Sequence, residues 1–256
     1  MGATENIMLA SALTVGKTVI ENAAMEPEIT NLAEYLKSIG VKITGAGTNI
    51  VTIEGTNSPT DGEVFVIPDR IVASTYAIAG LITGGDVTIN KVIPSHFSEV
   101  ISVLKKMGAQ IDICRNKIKV KVTDKLTNIP YVSTAPYPGF PTDVQPMLLA
   151  LMSVSKGFGM VRESVFENRL SHCYGLNAMG AQIKINGRLA LADGVPSLRG
   201  ANISATDLRC GAALCLAALA AEGVSFVSGT EFIDRGYEDL CRDLKRLGAN
   251  IERIEH

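Results

Sequence analysis

Asp143 is the acidic residue of "APYPGFPTDVQP", Ala135 to Pro146, where four prolines and a glycine stiffen the chain just before a long apolar helical pattern. A carboxylate on such a loop is held in place instead of moving freely in solvent. Thr142 or Asp143 falls where a helix N-cap belongs. The same kind of residue recurs along the chain. One set of helices is predicted to open at Asp69-Arg70, at Asp143, and at Asp207 with Arg209. A second set opens at Glu26-Pro27-Glu28, at His96, at Glu167-Asn168-Arg169 and at Asp234-Arg235. Helix N-termini attract anions through their free N–H groups and the macrodipole. A cation is disfavoured there, so an arginine at such a place points to an anionic ligand. Plainer readings stand beside this one. An Asp at a helix start is most often a cap, which applies to Asp69, Asp207 and Asp234. Arg209 and Arg235 can also pair with neighbouring carboxylates on a solvated face.

The elements that must position these residues repeat. "GVKI" begins at Gly40, "GAQI" at Gly108 and again at Gly180, and "GANI" at Gly248, spaced 68, 72 and 68 residues apart. Gly16, Gly85, Gly157 and Gly223 run in step, each ending an apolar stretch before a β-like run. Each copy reads as an apolar helix with a glycine C-cap, a strand ("TVIEN", "DVTIN", "GMVRE", "VSFVS"), an amphipathic helix and a hairpin. Asn186-Gly187 predicts a tight hairpin turn in the third copy, and Gly45 to Asn49 serves in the first. The unit is therefore βαβαββ, an α/β (α+β) class. Copy one starts at its first helix, and copy four stops at "NIERIEH", where Ala249 to Ile254 is expected to be a strand without a return strand. The expectation is a chain that begins and ends inside its own repeat. Residues 1–58 form the last unit of an incomplete first domain, and residues 59–256 form a second domain of three units lacking its final strand. "GTNSPTDGE", Gly55 to Glu63, has linker composition at that boundary. An open strand edge and uncovered apolar faces predict association, as a homo-oligomer or with a separate N-terminal chain.

Composition narrows the function classes. The formal net charge is −2 with both signs interspersed, and aromatics are 5% with no Trp. No basic block or stacking surface suggests a nucleic acid or an anionic membrane as partner. The longest apolar run, Gly211 to Ala221, is too short to span a bilayer, and no signal-peptide pattern is seen. Five cysteines without CxxC spacing predict reduced, mostly buried thiols and a cytoplasmic protein. His96 and His172 have no second ligand at metal spacing, so no metal is expected. There is no GxxxxGK[ST] and no GxGxxG in a strand–turn–helix setting, and "GAGT" at Gly45 reads as a hairpin turn.

"ENAAMEPEI", "PYPGFPTDVQ", "VFENR", "ATDLR" and "IDRGYEDL…LKRLGANIERI" resemble the enolpyruvyl transferases, in order and over the whole chain. The resemblance is strongest to the branch acting on UDP-N-acetylglucosamine at the start of peptidoglycan precursor synthesis. It implies two inside-out α/β barrel domains, each of three βαβαββ units about a pseudo-threefold axis. It also implies transfer of the enolpyruvyl group of phosphoenolpyruvate to the sugar 3′-hydroxyl by addition and elimination, with no cofactor. By this resemblance Asp143 contacts the sugar hydroxyl and is the base, and Val165 meets the N-acetylglucosamine part through its backbone. Arg209 and Arg235 match arginines that hold the phosphoenolpyruvate anion. Asp207 matches an acid that steadies the intermediate or the arginine cluster. Arg70, Glu26 and Glu28 match residues of the interdomain cleft.

The chain also departs from the family pattern. The family's N-terminal lysine–asparagine pair and its lid cysteine with an arginine have no counterpart in this sequence. Met25 stands where many relatives carry a basic residue, and Gly2 begins where a uridine-contacting segment of the family ends. These departures predict a chain without part of the active site. Two other readings stay open: a shikimate-using enolpyruvyl transferase, and a catalytically silent binding or assembly module.

Overall fold

The computed structural model describes residues 1–254, so the last two residues of "NIERIEH" lie outside the described part. The chain forms two compact units. Unit 1 is Met1–Pro68 with Pro136–Gly139, and unit 2 is Asp69–Ala135 with the chain from Phe140 onward.

Unit 1 contains α1 (Gly2–Ala12), β1 (Gly16–Glu21), α2 (Pro27–Ser38), β2 (Lys42–Thr44) and β3 (Ile50–Gly55). Its antiparallel sheet has the order β1-β3-β2, and Met8, Ile29, Leu36, Val51 and Ile53 fill the core between sheet and helices. The division between units falls at Pro68, ten residues beyond the expected 58. The reason lies in hydrogen bonding. Thr60 donates its N–H to the Ile39 carbonyl at 3.0 Å. The Asn31 side chain donates to the Phe65 carbonyl at 2.9 Å and accepts from the Ile67 N–H at 3.2 Å. The stretch with linker composition is thereby tied to unit 1.

Unit 2 is built around three helices, α3 (Arg70–Ile82), α5 (Gln145–Val154) and α7 (Leu208–Leu219). They touch one another, and almost every residue from the first turn on is buried, including Met147, Leu148, Leu149, Ala212, Ala213 and Leu214. Helices apolar on every side belong inside, so the sheets lie outside them. Gly211 in α7 also lets Ile233, later in the chain, pack close against that helix: a Cβ there would come within 2.6 Å of the Ile233 side chain. The outer layer holds β4 (Asp86–Asn90), α4 (Ser98–Lys106), β5 (Gln110–Cys114) and β6 (Lys117–Lys121), with antiparallel order β4-β6-β5. It continues with β7 (Tyr131–Ser133), β8 (Phe158–Arg162), α6 (His172–Ala178), β9 (Gln182–Asn186) and β10 (Leu189–Asp193), in the order β7-β8-β10-β9 with β7 parallel to β8. Two parallel pairs complete it: β11 (Leu198–Arg199) with β13 (Ala221–Glu222), and β12 (Asn202–Ser204) with β14 (Phe226–Ser228). The chain then closes with α8 (Thr230–Ile233) and α9 (Leu240–Arg246). Helices inside and sheets outside make an inside-out α/β barrel.

The glycine repeat has a common physical cause. In the second copy Gly108 donates to the Lys105 carbonyl and Ala109 to that of Leu104. The same pair of bonds recurs at Gly40-Val41, Gly180-Ala181 and Gly248-Ala249. This is the Schellman closure, and it needs the left-handed backbone that Gly108 adopts at φ +104.

Several local expectations fail. Gly84, not Gly85, takes the left-handed conformation after α3. The third hairpin turns on Gly187-Arg188, because Asn186 still pairs with Leu189. No strand lies between β3 and α3, and residues 249–254 are irregular, having no neighbouring strand to bond with among the described residues. The acid and arginine positions also move relative to their helices. Asp69 and Asp207 do cap: each Oδ1 accepts two backbone N–H groups, at 2.7 and 2.9 Å for Asp69 and at 2.9 Å twice for Asp207. Asp143 does not. The turn closed by Val144 N–H to the Pro141 carbonyl places Val144 at the N-cap of α5, with Pro146 in the first turn. Asp234-Arg235 follows α8 instead of opening a helix, and Asp239 caps α9 through the Arg242 N–H at 2.8 Å.

Candidate active site

The carboxylate of Asp143, freed from capping, sits between two guanidinium groups. Arg169 donates to Oδ1 at 2.7 Å and Arg209 to Oδ2 at 3.0 Å. Arg209 is the more buried arginine, with 12% of its side chain exposed, and also donates to the Tyr237 hydroxyl at 3.4 Å. That hydroxyl lies 2.8 Å from the hydroxyl of Thr75 on α3. Arg169 rests over the Phe166 ring, 4.9 Å from its centre, a contact that holds a planar cation without consuming its donors. The result is a chain of polar contacts from α3 through the start of α7 to the Asp143 loop and on to the 163–171 segment.

Electrostatics fit this geometry. Burial works against the charge on Arg209, but the Asp143 carboxylate, helped by Tyr237, outweighs it and holds the guanidinium above its usual value. Burial pushes the Tyr237 phenol up, while Arg209 and Thr75 oppose the rise. Arg209 stays a cation and Tyr237 a neutral hydroxyl at neutral pH. His172, buried at the start of α6, is pushed down to about 4 by burial and by Arg169, with Asp207 opposing. It is a neutral core residue, 3.5 Å from the Gln145 amide nitrogen. Burial raises the Cys173 and Cys215 thiols to about 12, so neither is a nucleophile at neutral pH.

The other residues expected at a site are placed as follows. Val165 lies in the segment after β8, and its N–H is bound at 2.9 Å by Glu163. Asp207 spends Oδ1 on the α7 cap, and its Oδ2 meets only Thr206, at 3.5 Å, among the described residues. Arg235 is exposed between α8 and α9 and, among the described residues, has no hydrogen bond or ion pair to the Asp143 cluster. Arg70 is buried in the first turn of α3 in unit 2. Glu26 and Glu28 stand on unit 1, at the N-cap position and in the first turn of α2, and Glu26 makes no capping bond. Asp143, Arg209 and, through the 163–171 segment, Val165 are thus brought into one constellation.

Three contributors, Tyr237, Thr75 and Glu163, were not singled out in the sequence, and Arg169 was singled out only as an arginine at a helix start. Arg169 and Tyr237 sit inside "VFENR" and "IDRGYE", so the motifs contained them. Thr75 is an ordinary helical threonine whose contact depends on the packing of α3, for which sequence carries no signal.

The sequence profile of the EPSP synthase (3-phosphoshikimate 1-carboxyvinyltransferase) family matches residues 1–244. UDP-N-acetylglucosamine 1-carboxyvinyltransferase 2 of Caldanaerobacter subterraneus subsp. tengcongensis is 47% identical over 254 residues, which is 99% of this chain and 61% of that protein. UDP-N-acetylglucosamine 1-carboxyvinyltransferase 1 of Staphylococcus aureus is 46% identical over 254 residues, 99% of this chain and 60% of that one. Among solved structures, the enolpyruvyl transferase NikO from Streptomyces tendae superposes with a TM-score of 0.88 at 30% identity, covering 98% of this chain and 60% of NikO. EPSP synthase of Acinetobacter baumannii shares the fold, with a TM-score of 0.71 at 22% identity, over 96% of this chain and 60% of that one. The chain thus spans about three-fifths of the length of the relatives it matches. An inside-out barrel with "PGFPTD", "VFENR" and "IDRGYE" in order, under a profile covering nearly all its residues, belongs to the enolpyruvyl transferase family.

Proposed function

We propose that this chain takes part in transfer of the enolpyruvyl group from phosphoenolpyruvate to the 3′-hydroxyl of UDP-N-acetylglucosamine, in the cytoplasm, as the first step of peptidoglycan precursor synthesis. The observation that carries this reading is the Asp143 carboxylate suspended between Arg169 and Arg209 on the proline-rich loop. In the addition step the acceptor oxygen bonds to C2 of the enol, C3 gains a proton, and the hydroxyl proton goes to a base. In the elimination step the C2–O bond to phosphate breaks, phosphate leaves, and a proton returns from C3. Asp143 is the base in this scheme. Arg209 and Arg235 bind the carboxylate and phosphate of phosphoenolpyruvate, and the buried Arg209 is the contact that counts most. Asp207, with one oxygen fixed by the helix cap, steadies the charge that develops. Val165 presents backbone to the sugar, and Arg70 at the start of α3 adds a further cation from unit 2.

In this scheme Asp143 and phosphoenolpyruvate compete for Arg209, and the carboxylate oxygen released by that guanidinium takes the proton.

Calorimetric titration with UDP-N-acetylglucosamine and with shikimate 3-phosphate tests the reading. Binding of the sugar nucleotide alone is the expected result. Binding of shikimate 3-phosphate alone assigns the chain to the shikimate branch, and binding of neither leaves an assembly module. Phosphate release from both substrates in proportion to this chain overturns the expectation of a partial site.

A further inference from the structure

Glu163 follows β8 and is 1% exposed, yet no arginine, lysine or histidine pairs with it among the described residues. Four donors hold it instead. Oε1 accepts from the Thr134 hydroxyl at 2.9 Å, the Val165 N–H at 2.9 Å and the Phe166 N–H at 3.0 Å. Oε2 accepts from the Thr142 hydroxyl at 2.8 Å. Thr134 has no freedom left: its oxygen accepts the Ser164 N–H at 2.8 Å, so its proton is committed to Glu163. Thr134 and Thr142 bracket the proline-rich loop, and Thr142 precedes Asp143. Val165 and Phe166 begin the segment that ends in Arg169. One buried carboxylate therefore joins both ends of the Asp143 loop to the turn at Val165.

We infer that Glu163 is a positioning residue that fixes the distance between the Asp143 loop and the Val165 backbone, and so sets the binding geometry for the acceptor substrate. This rests on the functional reading above. Burying a charge without a counter-ion is tolerated only where several strong donors replace the lost water, and such a group specifies one geometry. Nothing in the packing of Glu163 requires the charge itself. In a glutamine, Oε1 keeps the three donors on its side, and the Thr142 hydroxyl turns to accept from Nε2. Alanine keeps none of the four.

The test compares Glu163→Ala, Glu163→Gln and Thr142→Val with the parent chain. Calorimetry follows UDP-N-acetylglucosamine and phosphoenolpyruvate, and amide exchange follows Val165 and Phe166. Glu163→Ala is expected to weaken sugar-nucleotide binding about tenfold or more and to accelerate exchange at both amides, while phosphoenolpyruvate binding stays within about threefold. Glu163→Gln should restore both readouts to near the parent values, and Thr142→Val should fall between. Unchanged exchange and affinity in Glu163→Ala overturn the inference, as does equal loss of both ligands, which marks a general structural role. If Glu163→Ala does not fold, the outcome passes to Thr142→Val: a loss confined to the sugar nucleotide supports the inference, and no selective loss overturns it. A parent chain that fails to bind UDP-N-acetylglucosamine overturns the functional reading and the acceptor role together. The exchange data then still decide whether Glu163 holds the turn.

Discussion

Two guanidiniums on one carboxylate define what Asp143 loses when it becomes an amide. Asp143→Asn keeps the size of the side chain and one acceptor oxygen, but its NH₂ group faces an arginine it can no longer bind. Proton acceptance is lost, and the arginines become more available to an anion. With the remaining family segment supplied as a separate polypeptide to give turnover, kcat is expected to fall by roughly two to four orders of magnitude. Affinity for phosphoenolpyruvate should hold or tighten in the same measurement. A drop confined to phosphoenolpyruvate affinity, with kcat within a few-fold, means that Asp143 only organises the arginines. Arg209→Lys makes the complementary change. Lysine keeps the charge but cannot reach Asp143 and Tyr237 at once, as the two Nη atoms of the arginine do. The expected outcome is a higher KM for phosphoenolpyruvate and unchanged sugar-nucleotide binding by calorimetry. Asp143 was legible in the sequence because prolines announce a stiff loop. Arg209 and Arg169 were also singled out there, but their pairing with Asp143 was not legible, because they meet it across 66 and 26 residues of chain. Glu163 gave no signal, since a buried acid and an exposed one look the same until the donors around it are known.

At the scale of elements, helices were easier to read than their starts. All-apolar stretches can only be interior helices, and α5 and α7 are. The N-termini were harder. Aspartate at positions 69 and 207 caps its helix, but the turn at Pro141–Val144 displaces the start of α5 past Asp143. The start of α6 illustrates the consequence of burying a titratable group near such an end. His172 is neutral in the folded chain down to about pH 4, whereas an unfolded histidine titrates near 6.5. Between those values the unfolded chain holds the extra proton, so stability is full above pH 6.5 and is lost as pH falls toward 4. The loss is worth up to about 3 kcal/mol. Urea denaturation at pH 7 and pH 4.5 should show that decline in the parent chain and a smaller one in His172→Gln. Equal pH dependence in both would mean that His172 gains a proton without unfolding.

The whole molecule shows its periodicity through one recurring helix closure, which is why four glycine markers were enough to indicate its repeat. The unit boundary was less legible, because Asn31 and Ile39 capture a polar stretch that composition marks as linker. Unit 1 also exposes apolar side chains that small folded units usually cover: Leu9, Leu13 and Val15 are 51, 60 and 74% exposed. They lie on α1 and the turn that follows it, and α1 is apolar on more than one side. Such a helix normally has a partner on its second face. Self-association through this face is therefore expected, as a homodimer or larger assembly at tens of micromolar (roughly the range in which exposed apolar surfaces drive association). Leu13→Glu places a charge in the middle of that surface. Light scattering should show the parent chain's mass rising with concentration and the variant's remaining closer to that of one chain. A parent chain that stays monomeric throughout overturns the expectation. A Leu13→Glu variant that associates as strongly as the parent would move the contact away from α1.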